Sequence, residues 1–146
     1  MPEFKPYRTE AEIIQVVERF EACTFTPEEF FHHRHLTVAA WYFLRLDKRI
    51  AEERMRAGLR KFIRHHGKNG YHETITEFWL RLVAHHVCHA RPGGDSLALV
   101  NQIVERFGDK SLINEHYSRE LLASPDAKAR RVAPDLAPLP PNWEPL

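Results

Sequence analysis

Residues 47–70 read DKRIAEERMRAGLRKFIRHHGKNG and contain the start, body and end of one helix together with the turn that follows it. Asp47 is a typical helix N-cap residue, and the basic stretch 64–66 with Gly67 behind it is typical of a helix end. Residues 68–70 leave only a tight connection to the next helix. Because the connections on both sides of this helix are short, we expect it to lie antiparallel to both neighbours.

Similar signals predict the remaining helices. A capping box at Thr9–Glu12 begins a first helix that ends near Ala22. Thr26–Glu29, with proline at the first helical position, begins a second helix that should reach Leu46. The other predicted elements are a fourth helix over 71–90, a fifth over 97–107 that stops at Gly108, a sixth over 113–123 and a last turn capped at Ser124. Strand signals are nearly absent, so the sequence predicts an all-α bundle of four main helices and one or two short ones.

The C-terminal segment has a different composition. From Pro134 onward, proline occurs five times in 13 residues, which excludes a helix and predicts an extended chain. The segment also carries four large apolar residues, Leu136, Leu139, Trp143 and Leu146. We therefore divide the chain into a helical bundle domain, residues 1–132, and an extended tail, residues 133–146, that packs on the bundle.

Composition limits the classes of partner. The chain has 146 residues, 43% of them hydrophobic and 28% charged, which is typical of a soluble globular protein. Its net charge of +1 provides no strong attraction for nucleic acid or an anionic membrane. No apolar run reaches the length of a signal peptide or a membrane span, and two cysteines make no disulfide framework. We expect a cytoplasmic protein without nucleic-acid or membrane partners, and its oligomeric state stays open.

Histidine is unusually abundant. Nine of the ten histidines lie between residues 32 and 89. His32 and His35 are one turn apart near the start of the predicted second helix, and His72 and Glu73 begin the fourth. Since the second and fourth helices start at the same end of an antiparallel bundle, these side chains should meet there. On both helices the histidines continue an apolar stripe, so they should face the core.

Three imidazoles suit a borderline transition metal and leave a coordination position open, as catalytic sites do. The sequence therefore predicts a divalent transition metal bound by His32, His35 and His72. Glu73 would act as fourth ligand, as a hydrogen-bond partner of a ligand or as the catalytic base, and Glu28 is a further candidate. Zinc would suit hydrolysis of a small-molecule substrate, and iron or copper would suit oxygen chemistry. Imidazole accepts all three metals, so metal and reaction stay open.

Two other interpretations compete with a metalloenzyme. The histidines could form a buried hydrogen-bond network in a non-enzymatic adaptor or oligomer subunit, with the tail as a docking strap. The number of histidines also allows a pH-responsive protein. A second cluster, His85, Cys88 and His89, lies at the end of the fourth helix, where cations complement the helix dipole. Capping is the favoured interpretation of that cluster, with a second metal site as its alternative.

Three short segments carry a resemblance to a known group of proteins. They are HHRHL at residues 32–36, YHETIT at 71–76 and PDLAPLP at 134–140. These segments resemble those of a group of small bacterial proteins without an assigned activity, and the resemblance extends from about residue 26 to 140. It implies that His32, His35, His72 and Glu73 belong to one recurring constellation, and it implies no substrate or reaction.

Overall fold

The computed structural model describes residues 3–91 and 93–143, and it is all-helical, as predicted. Across these residues it contains eight helices and no strand. The five long helices are α1 (Glu10–Glu21), α2 (His32–Arg45), α3 (Lys48–His65), α4 (Glu73–Cys88) and α5 (Ser96–Phe107). A 3₁₀ helix (Lys110–Glu115) and two short helices, α6 (Arg119–Leu122) and α7 (Pro125–Ala129), follow them.

Local hydrogen bonds set the bounds of most helices. The Asp47 carboxylate accepts a hydrogen bond from Arg49 N at 3.0 Å and begins α3. Gly67, with a φ of +68°, follows the end of α3 in the left-handed region that favours glycine. The Asp95 carboxylate caps α5 in the same way as Asp47 caps α3. These bounds agree with the predicted ones because caps and stops depend on residues close in sequence.

The predicted start of the second helix is wrong. Thr26 and Glu29 do form the capping box, since each side chain accepts a hydrogen bond from the other residue's backbone N–H, at 3.1 and 2.8 Å. However, this turn does not continue, and α2 begins only at His32. The interruption accompanies the burial of Phe30, whose ring stacks on Phe20 at 4.6 Å between centroids. Core packing of one aromatic ring therefore outweighs a local helix signal.

The predicted sixth helix over 113–123 is also wrong, because the 3₁₀ helix and α6 take its place. The break lies at Ser118, whose hydroxyl accepts a hydrogen bond from Leu121 N at 3.1 Å and so caps α6. The same hydroxyl donates to the Asp135 carboxylate at 2.6 Å. A contact 17 residues away in the chain thus favours two short elements over one helix.

Helix α2 is the centre of the bundle and contacts α1, α3, α4 and α5. Most of its residues from position 36 to 43 are buried, so its apolar surface extends around the helix. Such a helix requires neighbours on several sides. None of the helices among the described residues combines the length and the apolar character that crossing a membrane requires.

The C-terminal tail lies against α4. Leu139 and Trp143 pack against the hydrophobic core, and the Trp143 carbonyl oxygen accepts a hydrogen bond from Arg81 Nη2 at 3.0 Å. Leu136, which we expected to face the bundle, is 59% exposed. Leu146 lies outside the described residues.

Candidate functional site

A cavity of about 220 Å³ lies between α2, α3 and α4. The three histidines predicted to meet, His32, His35 and His72, all line it. Its other lining residues are Leu36, Ala39, Met55, Leu59, Ile63, Gly70, Tyr71, Ile75, Thr76, Trp79, Leu80 and Val83. Within the part of the chain that the structure describes, no lysine, arginine, aspartate or glutamate belongs to this lining. We call this space the histidine cavity; it is a largely apolar chamber whose polar groups include three imidazoles.

His32 joins the cavity to α5. Its Nε2–H donates a hydrogen bond to the Phe107 carbonyl oxygen at 3.0 Å, and its ring meets the Trp79 ring edge-on at 4.4 Å between centroids. Burial lowers the pKa of His32, and the Phe107 carbonyl opposes this effect. Among the described residues, Nδ1 of His32 has no hydrogen-bond partner. The ring is therefore uncharged at neutral pH and retains one nitrogen that can accept a hydrogen bond.

His35 is held one turn further along α2. Its ring packs on the Phe30 ring at 4.2 Å between centroids. Burial lowers the pKa of His35 to about 4, with a smaller contribution from the nearby His32. At neutral pH this imidazole is uncharged, and it offers a hydrogen-bonding group without a fixed charge.

His72 is the N-cap of α4. Its Nδ1 accepts a hydrogen bond from Ile75 N at 3.1 Å, and its Nε2–H donates to the Leu122 carbonyl oxygen at 2.7 Å. Both ring nitrogens are thus occupied, in one tautomer. Binding a metal through His72 would require one of these hydrogen bonds to break.

The Glu73 side chain does not line the histidine cavity. Its Oε1 atom accepts hydrogen bonds from Arg56 Nε at 2.8 Å and from the Tyr71 hydroxyl at 3.0 Å. Arg56 also pairs with Glu52, one turn earlier on α3. Burial and the Glu73 carboxylate together raise the pKa of Tyr71. Glu73 therefore belongs to an ion-pair group between α3 and α4, and its roles as ligand and base stay predictions.

Within residues 3–91 and 93–143, no group of three or more histidine, cysteine, aspartate or glutamate side chains is arranged to hold a metal ion. Glu28, the further candidate ligand, is exposed and lies outside the cavity lining. As the side chains of the histidine cavity are arranged, they can offer hydrogen bonds and apolar contacts to a small molecule. A metal centre would need rotation of at least the His72 ring.

The second histidine cluster lies at the C-terminal end of α4, as predicted. Cys88 and His89 are exposed, and Nδ1–H of His89 donates to the His85 carbonyl oxygen at 2.8 Å. The His85 carbonyl oxygen also accepts the backbone N–H of His89 at 3.1 Å, so the imidazole adds a second hydrogen bond at the C-terminal end of the helix. The geometry matches the capping interpretation.

Sequence reasoning did not single out the wall that α3 contributes. Met55, Leu59 and Ile63 line the cavity and follow one another at intervals of four residues. Side chains at this interval share one face of a helix, so the signal was present in the sequence. The partnership of Arg56 with Glu73 had no such signal, because it joins two helices.

No family model, curated protein or solved structure matches this chain.

Proposed function

We propose that the histidine cavity binds a small, uncharged molecule with an apolar body and one or two hydrogen-bonding groups. The observation that carries this proposal is the lining of the cavity, which combines three imidazoles, one indole ring and the hydroxyl-bearing residues Tyr71 and Thr76 with an otherwise apolar wall. None of the described lining residues has a charged side chain. Cavities of this kind, mostly apolar with a few converging polar groups, are the usual sites of small ligands.

The volume limits the size of the ligand. An apolar cavity of roughly 150 Å³ is sufficient for benzene. The histidine cavity, at about 220 Å³, has room for one ring with a short substituent. Larger cofactors such as dinucleotides do not fit this space.

The electrostatics limit the charge of the ligand. Burial keeps His32 and His35 uncharged, with the pKa of His35 at about 4. An ionised ligand would lose its hydration without gaining a partner of opposite charge, which is costly in an apolar site. A hydroxyl group, in contrast, can donate a hydrogen bond to Nδ1 of His32.

Binding of phenol, observed by calorimetry and by fluorescence of Trp79 beside His32, tests the proposal. We expect saturable binding to the wild-type protein at pH 7.5. Leu59→Phe, which fills the cavity, should weaken that binding about tenfold or more, because it removes the space for the ring. Ile14→Phe makes a similar change on an exposed part of α1 and is the matched control. Equal binding to wild type and Leu59→Phe would reject the cavity as the site.

A metal ion at the same residues is the second candidate, and its support is that His32, His35 and His72 all line one cavity. Zinc, iron or copper would be bound by these imidazoles, with open positions for a small-molecule substrate. Glu73 could serve as fourth ligand or general base only after its carboxylate leaves Arg56 and Tyr71. This candidate makes the protein a metalloenzyme.

Metal analysis of protein purified without a histidine tag tests the second candidate. About one metal per chain in the wild type, a large loss in His32→Ala, and a melting temperature lowered by EDTA would support it. A metal at about 100 times its dissociation constant stabilises a fold by roughly 2.7 kcal/mol, which is readily measured. A metal content far below one per chain, and unchanged in His32→Ala, would reject this candidate. If phenol binding also fails, the histidines serve the fold alone, as in the adaptor interpretation.

A further inference from the structure

A second and larger cleft, of about 730 Å³, lies between the C-terminal half of α4 and helix α5. Phe43, near the end of α2, also contributes to it. We call it the α4–α5 cleft. Its lining residues come from α2, α4, the connection between α4 and α5, and α5. Its lining differs from that of the histidine cavity in charge.

Positive groups predominate in the α4–α5 cleft. Among the described residues, Arg91 and Arg106 line it together with the imidazoles of His86 and His89, and Asp95 is the single acidic lining residue. The Asp95 carboxylate accepts a hydrogen bond from Leu97 N at 3.0 Å as the N-cap of α5. The electrostatic potential inside the cleft therefore favours an anion.

Arg106 is available to a ligand. Its guanidinium lies over the Phe107 ring at 5.1 Å from the ring centroid. Among the described residues, no carboxylate pairs with it and no acceptor hydrogen-bonds to it. A planar guanidinium of this kind can bind a carboxylate or phosphate through two parallel hydrogen bonds.

The floor of the cleft is apolar. Leu99, Ile103 and Phe107 line it together with Phe43. The His86 ring packs on the Phe107 ring at 4.5 Å between centroids, and burial, with the nearby Arg106, lowers the pKa of His86. An uncharged imidazole beside an aromatic ring suits a flat apolar group, and Gln102 at the edge adds an amide.

We propose that the α4–α5 cleft is a second binding site, which takes a small organic anion: a carboxylate or phosphate monoester with an apolar, preferably aromatic, body. The anionic group would lie at Arg106 and the body on Phe107 and Phe43. The site is distinct from the histidine cavity, and the two are linked through Phe107, which lines the cleft and whose carbonyl oxygen accepts the hydrogen bond from His32.

The test uses benzoate and phenyl phosphate as probes and benzyl alcohol as the uncharged control, measured by calorimetry on the full chain at low salt. We expect at least one anion to bind at least tenfold more tightly than benzyl alcohol does at this cleft. Its affinity should fall as salt increases, because the guanidinium is exposed and screened. Tighter binding of benzoate would indicate a carboxylate ligand, and tighter binding of phenyl phosphate would indicate a phosphate ligand.

Variants locate the binding. Arg106→Gln should weaken the anion at least tenfold, since it removes charged hydrogen bonds. Arg64→Gln, at an exposed position near the end of α3, is the matched control and should change nothing. Amide shifts in NMR spectra should cluster at Gln102 and Phe107. Failure of both anions to bind at about 10 mM, or equal binding to Arg106→Gln and wild type, would overturn the proposal.

The two binding proposals fail independently. Arg106→Gln should leave phenol binding in the histidine cavity unchanged, and Leu59→Phe should leave anion binding in the α4–α5 cleft unchanged. If one variant abolishes both, the probes share a single site and the second site is rejected.

Discussion

His72 combines two structural roles in one side chain. One ring nitrogen caps α4, and the other donates to the Leu122 carbonyl, 50 residues away in the chain. Few side chains other than a neutral imidazole can accept at one atom and donate at another in this geometry. The residue that the sequence presents as a metal ligand is therefore also a tie between α4 and the segment around α6.

We expect His72→Ala to lower the free energy of unfolding by about 1–3 kcal/mol, since it removes a cap and a partly buried hydrogen bond. His72→Asn should recover part of the loss, because asparagine is a good N-cap residue. Urea unfolding measures both variants, with His65→Ala at the exposed end of α3 as control. Equal losses for alanine and asparagine would contradict the capping role.

Gly108 is constrained by its neighbours rather than by its backbone angles, which lie in the ordinary right-handed region. A Cβ atom at this position would lie 2.7 Å from Nε2 of His33 and 2.8 Å from the Val104 carbonyl oxygen. The close approach allows the chain to turn past the buried His33 ring immediately after α5.

Gly108→Ala should therefore destabilise the protein by about 1–3 kcal/mol, the usual cost of overpacking. Gly70→Ala is a suitable control, because a Cβ there meets nothing within 4 Å. Chemical unfolding of both variants checks the prediction, and an unchanged midpoint for Gly108→Ala would show that His33 moves away without cost.

Helix α4 is held by the segment that crosses it after α7. The Thr74 hydroxyl donates to the Arg130 carbonyl at 2.9 Å and accepts from Val132 N at 3.2 Å. Further along, the Trp143 ring lies 5.5 Å from the Phe78 ring. An extended proline-rich chain loses less entropy on docking than a flexible one, which favours such a strap.

Truncation after Val132 should lower the melting temperature by several degrees. The physical reason is the loss of partly buried Leu139 and Trp143, worth about 2 kcal/mol together after ordering costs. Leu136→Ala, at a position that is 59% exposed, is the control and should have almost no effect. If the truncated chain and the full chain have the same melting temperature, the tail does not stabilise the bundle and is available to a partner instead.

The bundle as a unit should lose stability in mild acid. The folded protein keeps the pKa of His35 at about 4, below the 6.5 of an unperturbed histidine, so the unfolded chain binds a proton that the folded chain does not. The contribution of the uncharged His35 to stability is therefore fully present above pH 6.5, the pKa of this residue in the unfolded chain. It is lost as the pH falls from 6.5 toward 4. Burial also lowers the pKa of His32 and His33, in the same direction.

For His35 alone, the loss amounts to at most about 3 kcal/mol across that window. Urea unfolding at about pH 7.5 and about pH 5 measures the part of this loss above pH 5, roughly 2 kcal/mol. His35→Gln should reduce the slope of stability against pH, whereas His65→Gln should preserve it. If the slope of stability against pH is the same in His35→Gln and in the wild type, the acid sensitivity comes from other groups.

Much of the architecture follows from local sequence. Asp47, Gly67 and Asp95 mark helix ends correctly, because each acts through hydrogen bonds or backbone angles within a few residues. The short connections between α2, α3 and α4 bring the starts of α2 and α4 to one end, and His32, His35 and His72 therefore line one cavity.

What the local pattern left undetermined is how each side chain is used. His32 is bonded to a carbonyl 75 residues away, and Glu73 is paired with Arg56 across two helices. Such partners come together only when the bundle closes, and they decide which atoms face the cavity. Helix ends are local events, but the orientation of an imidazole or a carboxylate is settled by the most favourable partner within reach in three dimensions.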